Sequence, residues 1–376
     1  MQLERLELRR IALDLVTPFR TSFGVETARV ILLLKVTTDV GVGWGECVAQ
    51  HEPAYSPEFV DGASLVITEH LWPALAASPT ASDGTLTAAN VAPALQRFKG
   101  HQMSKAAIEM AVLDAQLRAA GESLAQHFGA TRDVIPSGVS VGIFDSIDVL
   151  LDQVAGYMAD GYVRIKLKIE PGWDIEPVQA VRELIGPDTP LQVDANTAYS
   201  RADIEHLCQL DQFDLLLIEQ PLPEEDVLGH ARLAAASTTP VCLDESVVSA
   251  GTAVDAIELG AAEIINIKAG RVGGYLEARN IHDVCVELGI PVWCGGMIET
   301  GIGRAANAAL AALPGFTLPG DISASTRFYQ RDIVVDPITL TDGQVKVPSV
   351  PGLGYELDHD FLDSITSSRI ELPARW

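Results

Sequence analysis

Val163-Arg164-Ile165-Lys166-Leu167-Lys168-Ile169 is the stretch on which the reading of this chain turns. A strand has a period of two, so Lys166 and Lys168 share one face while Ile165, Leu167 and Ile169 share the other. On an edge strand the lysines would face water; on a barrel strand they point into its mouth. The surrounding sequence favours the barrel. Short apolar runs at 138–143, 163–169, 191–196, 215–221, 241–246, 263–269 and 291–296 alternate with helical stretches, and an eighth, weaker run lies at 316–321. Strands alternating with helices imply parallel pairing through right-handed crossovers, and eight in succession predict a closed β/α barrel. An open doubly wound sheet is the alternative on pattern alone.

Polar residues close these runs. Lys168, Asp194, Glu219, Asp244, Lys268 and then Trp293-Cys294-Gly295 stand about 25 residues apart, one β/α unit each. The C-terminal ends of all barrel strands share one mouth, so the spacing predicts a common site. A carboxylate after four apolar residues is costly to bury unless it is paired or binds a metal. Three of them, Asp194, Glu219 and Asp244, would repel one another and call for a cation between them. Oxygen-only ligands favour Mg²⁺, with Mn²⁺ as the alternative. Asn196 lies on the face of Asp194. Neighbouring ammonium groups disfavour each other's charge, which predicts a lowered lysine pKa and a usable general base. Lys268 is expected across the mouth from Lys168. A cation flanked by two lysines suits abstraction of a proton α to a carboxylate, the cation stabilising the enediolate while either lysine moves the proton.

The first part of the chain reads differently. Strands are expected at 3–13, 30–37 and 41–47, forming an antiparallel sheet, and the Pro-, Gly- and Phe-containing segment 17–24 reads as a mobile loop able to cover a ligand. From 56 to 126 the periodicity is helical, clearest at 104–115. The tail has strand candidates at 333–335 and 344–347, does not continue the repeat, and is expected to return to the N-terminal domain. The division is therefore an α+β capping domain at 1–130, a barrel at 131–325 and a returning segment at 326–376.

Composition narrows the function classes. Hydrophobic residues make up 48% of the 376 and charged residues 20%, the balance of a globular enzyme. With 26 Lys and Arg against 51 Asp and Glu, the formal net charge of −25 would repel nucleic acids and anionic membranes. Cys47, Cys208, Cys242, Cys285 and Cys294 are widely spaced without a CxxC, so they read as buried thiols in a reducing compartment. The N-terminus alternates apolar and charged residues, unlike a signal peptide, and no apolar run reaches the roughly 18 residues of a membrane span. A soluble, cytoplasmic protein is expected. The scattered histidines show no HExxH spacing and are assigned no chemistry.

Lys166-Leu167-Lys168, Asp194-Ala195-Asn196, Ile218-Glu219-Gln220-Pro221, Leu243-Asp244-Glu245-Ser246 and residues 266–274 resemble the muconate-lactonizing subgroup of the enolase superfamily. Residues 17–24, Gly43-Trp44-Gly45-Glu46-Cys47 and residues 293–301 more closely resemble the N-acylamino acid racemase and o-succinylbenzoate synthase family. The resemblance spans nearly the whole chain. It implies a modified (β/α)₇β TIM-type barrel with an α+β cap, Asp194, Glu219 and Asp244 as Mg²⁺ ligands, and Lys168 and Lys268 as the acid/base pair, with Lys166 beside them. It further implies that Phe19, Phe23 and Tyr55 close over a small carboxylate substrate, that Asn196, Gly295 and Met297 line its site, and that Arg271 is tied to racemase activity. The implied reactions are racemization of N-acyl, notably N-succinyl, amino acids and dehydration to o-succinylbenzoate for menaquinone synthesis, in a homo-oligomer. Ala269 departs from the family's usual proline and leaves the lysine in place. The stretch 292–299 lacks the histidine of mandelate-racemase-like enzymes, and Asp321-Ile322-Ser323 lacks the paired aspartates of dipeptide epimerases. Muconate cycloisomerization uses the same ligands and lysines and stays open, as does, more remotely, a non-catalytic metal-binding barrel.

Overall fold

The computed structural model describes residues 1–374. Its first strands are β1 (Leu3–Thr21), β2 (Gly24–Thr38) and β3 (Gly41–Cys47), antiparallel in chain order. β1 and β2 extend well beyond the expected limits, because the segment expected to be a mobile loop continues the ladder: after a break between Asp14 and Phe19, Phe19 pairs with Glu26 and Thr21 with Gly24. The correction has a local cause. An extra stretch in β1 absorbs the register shift as a bulge, which the Pro-Gly composition disguised as a loop.

Gly43 and Gly45 let β3 lie unusually close to the helix Gln102–Ala120. A Cβ at either would fall 2.1 Å from a backbone oxygen, Ala111 O or Ala107 O. That helix is buried on most sides, with Glu109 and Asp114 inside it, and stops at Gly121, whose φ of 68° suits a glycine C-cap.

The barrel consists of β5 (Gly138–Val141), β6 (Arg164–Lys168), β7 (Leu191–Asp194), β8 (Ile218–Glu219), β9 (Val241–Leu243), β10 (Ile264–Ile267) and β11 (Val292–Cys294), parallel and in sequence order. The short β4 (Val134–Pro136) precedes them and pairs outside the ring. Each barrel strand is followed by helix, and each is almost wholly buried, which explains its unbroken apolar character. The eighth run at 316–321 is irregular, yet it touches both edges of the sheet: Phe316 bridges to Val292, Gly320 bridges to Ser137, and the Asp321 amide donates to Cys294 O (2.9 Å). The result is a modified (β/α)₇β barrel under a separate strand-based cap.

The tail contains β12 (Leu340–Thr341), β13 (Gln344–Lys346) and β14 (Thr366–Pro373). The expected strand at 333–335 is reduced to one bridge, Val334 to Leu357. β14, which the sequence did not suggest, pairs antiparallel with β1 and makes the cap sheet four-stranded in the order β14-β1-β2-β3. Four cysteines are buried, and Cys208 is half-buried. Among the described residues, no helix is long and apolar enough to cross a membrane.

Candidate active site

The chemistry-bearing residues meet at the C-terminal ends of β6 to β10. In the ring, β10 lies four places from β6, so Lys168 and Lys268 rise from opposite walls. Lys168 Nζ donates to Asp194 Oδ2 (2.6 Å) and to Asn196 Oδ1. Lys268 Nζ donates to Asp244 Oδ2 (2.6 Å) and to the Tyr55 hydroxyl (3.2 Å), and sits 5.0 Å from the centre of that ring. Asn196 in turn donates to Glu245 Oε1 (3.0 Å).

Lys166 lies deeper, with Asp321 Oδ2 at 2.6 Å, Glu219 Oε2 at 3.0 Å and Asp194 Oδ2 at 3.2 Å. The lowered lysine pKa expected from neighbouring ammonium groups is overturned here. Burial does oppose the Lys166 charge, but Asp321, Glu219 and Asp194 outweigh it and hold its pKa well above the ordinary lysine value. Burial likewise opposes the Lys268 charge and is overcome, by Asp244 first and then Tyr55, Glu219 and Glu245. Asp321, on the irregular eighth strand, is also 2.8 Å from Arg164, so its carboxylate is committed to two cations.

Asp194, Glu219 and Asp244 are completely buried on three consecutive strand ends. Their oxygens are turned onto Lys166, Lys168, Lys268, Arg271 and Asn266, and as they stand no three His, Cys, Asp or Glu side chains among the described residues form a group that could hold an ion. The donor chemistry nevertheless fits a hard divalent cation. All the donors are carboxylate oxygens, and beside them Glu245 Oε2 is buried without a hydrogen-bond partner.

The cap closes one side. Ser22, in the turn between β1 and β2, donates through its hydroxyl to Ala195 O (3.0 Å), and Arg20 pairs with Glu170 at 3.0 Å, docking the hairpin on the barrel mouth. Phe19 is buried and packs edge-on against Phe328, with centroids 6.1 Å apart; both line a cavity with Ser140, Ile298 and the three lysines. Phe23 lies beside Tyr55, 5.9 Å between centroids. Gly295 fits against Lys268, since a Cβ there would be 2.8 Å from its Cε. Met297 is buried but does not line the cavity. Arg271 is likewise turned to the protein, 2.9 Å from Asp244 Oδ1 and bonded to Val247 O. A second cavity of about 520 Å³, lined by Thr17, Tyr157 and Arg327 among others, contains none of these lysines.

Glu245, Asn266 and Asp321 belong to this constellation although the sequence reading gave them no role. Glu245 was visible as a second acid next to Asp244. Asp321 closes only the weak eighth run, whose strand is irregular, and Asn266 lies inside an apolar run.

A (β/α)₇β barrel with lysines on opposite walls, acids on the strands between them and an α+β cap over the mouth defines an enzyme of the enolase superfamily. Residues 7–129 match the mandelate racemase / muconate lactonizing enzyme N-terminal domain and residues 149–361 the enolase C-terminal domain-like family, and the chain belongs to this family. It is 60% identical over 370 residues to the N-succinylamino acid racemase of an Amycolatopsis species, covering 98% of this chain and 99% of that one. It is 43% identical to the o-succinylbenzoate synthase of Geobacillus kaustophilus, covering 97% and 96% respectively. The crystal structure of an enolase-superfamily member from Listeria innocua matches with a TM-score of 0.94 at 39% identity, covering 100% of each chain.

Proposed function

We propose that this enzyme racemizes N-acyl amino acids, N-succinyl ones above all, by removing the proton α to the carboxylate and returning one from the opposite side. The observation that carries the reading is the opposition of Lys168 and Lys268 across one buried cavity, with Asp194, Glu219 and Asp244 on the strands between. The 60% identity to a relative named N-succinylamino acid racemase supports the substrate class.

In this reading each lysine serves one face of the α-carbon: Nζ of one takes the proton and Nζ of the other supplies it. Asn196 orients Lys168, and the Tyr55 hydroxyl orients Lys268. Asp194, Glu219 and Asp244 would hold Mg²⁺, with Mn²⁺ as an alternative. A divalent cation held there would supply positive charge that offsets the negative charge gathering on the substrate as its α-proton leaves. Lys166 balances the acids from below. Phe19, Phe328 and Ile298 exclude water, and Phe23 and Tyr55 cover the acyl group.

A second reading is favoured by the relatives named o-succinylbenzoate synthase. The same enediolate can lose its β-hydroxyl as water, the lysine that took the α-proton returning it to the leaving oxygen, while the opposite lysine steadies the aromatic system by its charge. The deciding experiment assays both reactions on one purified sample supplied with Mg²⁺. Racemization of N-succinyl amino acids is the expected result. Dehydration without racemization would replace the first reading by the second, and the absence of both would overturn both.

A further inference from the structure

The motif Gly43-Trp44-Gly45-Glu46-Cys47 carries a carboxylate that the reaction does not use. Glu46 belongs to the cap, yet it is buried, and all three hydrogen bonds of its carboxylate go to the barrel. Its Oε1 accepts from the Thr300 amide (2.9 Å), and its Oε2 accepts from the Thr300 hydroxyl (2.7 Å) and the Gly303 amide (3.1 Å). These groups open the helix Gly301–Ala311, whose first amides have no partners within the helix. The two glycines bring β3 against the helix Gln102–Ala120 and so set the depth to which Glu46 reaches.

The segment just before Thr300 forms part of the mouth. Gly296, Ile298 and Glu299 line the cavity that holds the lysines. Ile298 has a φ of 58°, a left-handed conformation that a β-branched residue avoids unless its surroundings impose it. Those surroundings are specific. Ile298 O accepts from the Tyr329 hydroxyl (2.5 Å), Glu299 O accepts from Arg304 (2.9 Å), and Glu299 Oε2 accepts from the Met297 amide (2.8 Å). Glu46 fixes the far end of the segment. A parallel exists one barrel unit earlier, where the cap residue Glu109 accepts from the Tyr275 and Leu276 amides (2.8 and 3.3 Å) at the start of the helix that follows Lys268.

We propose that Glu46 is a positioning residue, through which the cap holds the 295–300 segment in its strained, substrate-facing form. Its consequence for turnover rests on the racemase reading; its consequence for the segment does not. Glu46→Gln sets an amide NH₂ against the donors of Thr300 and Gly303, while Glu46→Asp keeps the carboxyl group and withdraws it by one methylene. Thr300→Val removes a single donor.

The test measures hydrogen exchange of the 295–304 amides in the substrate-free protein and, separately, KM and kcat for N-succinyl amino acid racemization well below the unfolding temperature. In Glu46→Gln these amides should exchange at least about tenfold faster and KM should rise by about tenfold, with kcat changed less, since a misplacement of about 1 Å can cost up to about a hundredfold. Glu46→Asp should recover part of both, and Glu46→Gln/Thr300→Val should be no worse than Glu46→Gln alone. A lowered unfolding temperature with wild-type exchange and wild-type KM would overturn the proposal and leave Glu46 a structural cap. If Glu46→Gln does not fold, Thr300→Val and Glu46→Asp decide on the same two measurements. An inactive wild type would count against the racemase reading alone, and the exchange comparison would still decide whether Glu46 holds the segment.

Discussion

The Tyr55 hydroxyl lies 3.2 Å from Lys268 Nζ and 3.2 Å from Asp244 Oδ2, so a residue of the cap links a barrel lysine to a barrel acid. The hydroxyl can donate to the carboxylate while accepting from the ammonium. Tyr55→Phe keeps the ring and its face toward Lys268 and removes only this link. Proton exchange at the face served by Lys268 should slow by roughly 3- to 10-fold, the value of one hydrogen bond, while exchange at the face served by Lys168 should change less. Equal slowing of both would mean that Tyr55 acts on substrate binding as a whole.

Opposed bases give a sharper test. In deuterium oxide, Lys168→Ala should still exchange the α-proton of the enantiomer that Lys268 faces, while racemization falls by at least about 10²–10⁴-fold, as for a lost general acid/base group. Lys268→Ala should show the converse handedness. Were both variants to exchange the same enantiomer, the two lysines would not be an opposed pair.

Glu219→Gln removes one of the three buried acids between the lysines and also weakens the Lys166 contact at 3.0 Å. Mg²⁺ binding, followed by calorimetry, should be lost or greatly weakened, and activity should collapse with little loss of thermal stability. Activity that persists in EDTA, or in this variant, would defeat a metal-assisted mechanism.

Phe19 and Phe23 should separate. Phe19 is buried against Phe328, so Phe19→Ala should cost about 3–5 kcal/mol of stability as well as altering the site. Phe23 is half-buried at the hairpin tip, so Phe23→Ala should shift the ratio of rates between short and bulky substrates and leave the unfolding temperature nearly unchanged. An unchanged ratio would assign Phe23 to cap packing.

Burial pushes the Glu109 carboxyl up to about 8, against the pull of the Tyr275 and Leu276 amides. The folded chain then binds a proton at Glu109 that the unfolded chain, titrating near the ordinary glutamate value of 4.5, has released. Its contribution to stability is full below the unfolded pKa and is lost as pH rises through the folded one, with a slope of at most about 1.4 kcal/mol per pH unit. Between pH 5 and 8, the wild type should therefore lose stability relative to Glu109→Gln, as unfolding temperatures at several pH values would show. Parallel curves would mean that the two amides keep Glu109 ionised throughout.

The sequence by itself determined the barrel and the positions of Lys168, Asp194, Glu219, Asp244 and Lys268. Each barrel strand is short, buried and repeated at one β/α unit, so a charge at the end of an apolar run recurs in phase and can be counted. Only the tertiary structure decided what those charges meet. Lys166 keeps its charge because Asp321, 155 positions later on an irregular strand, comes within 2.6 Å of it. The long β1–β2 hairpin was hidden by its register break, and β14 by its exposed, weakly patterned sequence at the edge of the cap sheet. The contacts of Tyr55 with Lys268, Glu46 with Thr300 and Glu109 with Tyr275 join residues 166 to 254 positions apart. No local periodicity encodes such pairs, because they exist only once cap and barrel have packed into one continuous hydrophobic core.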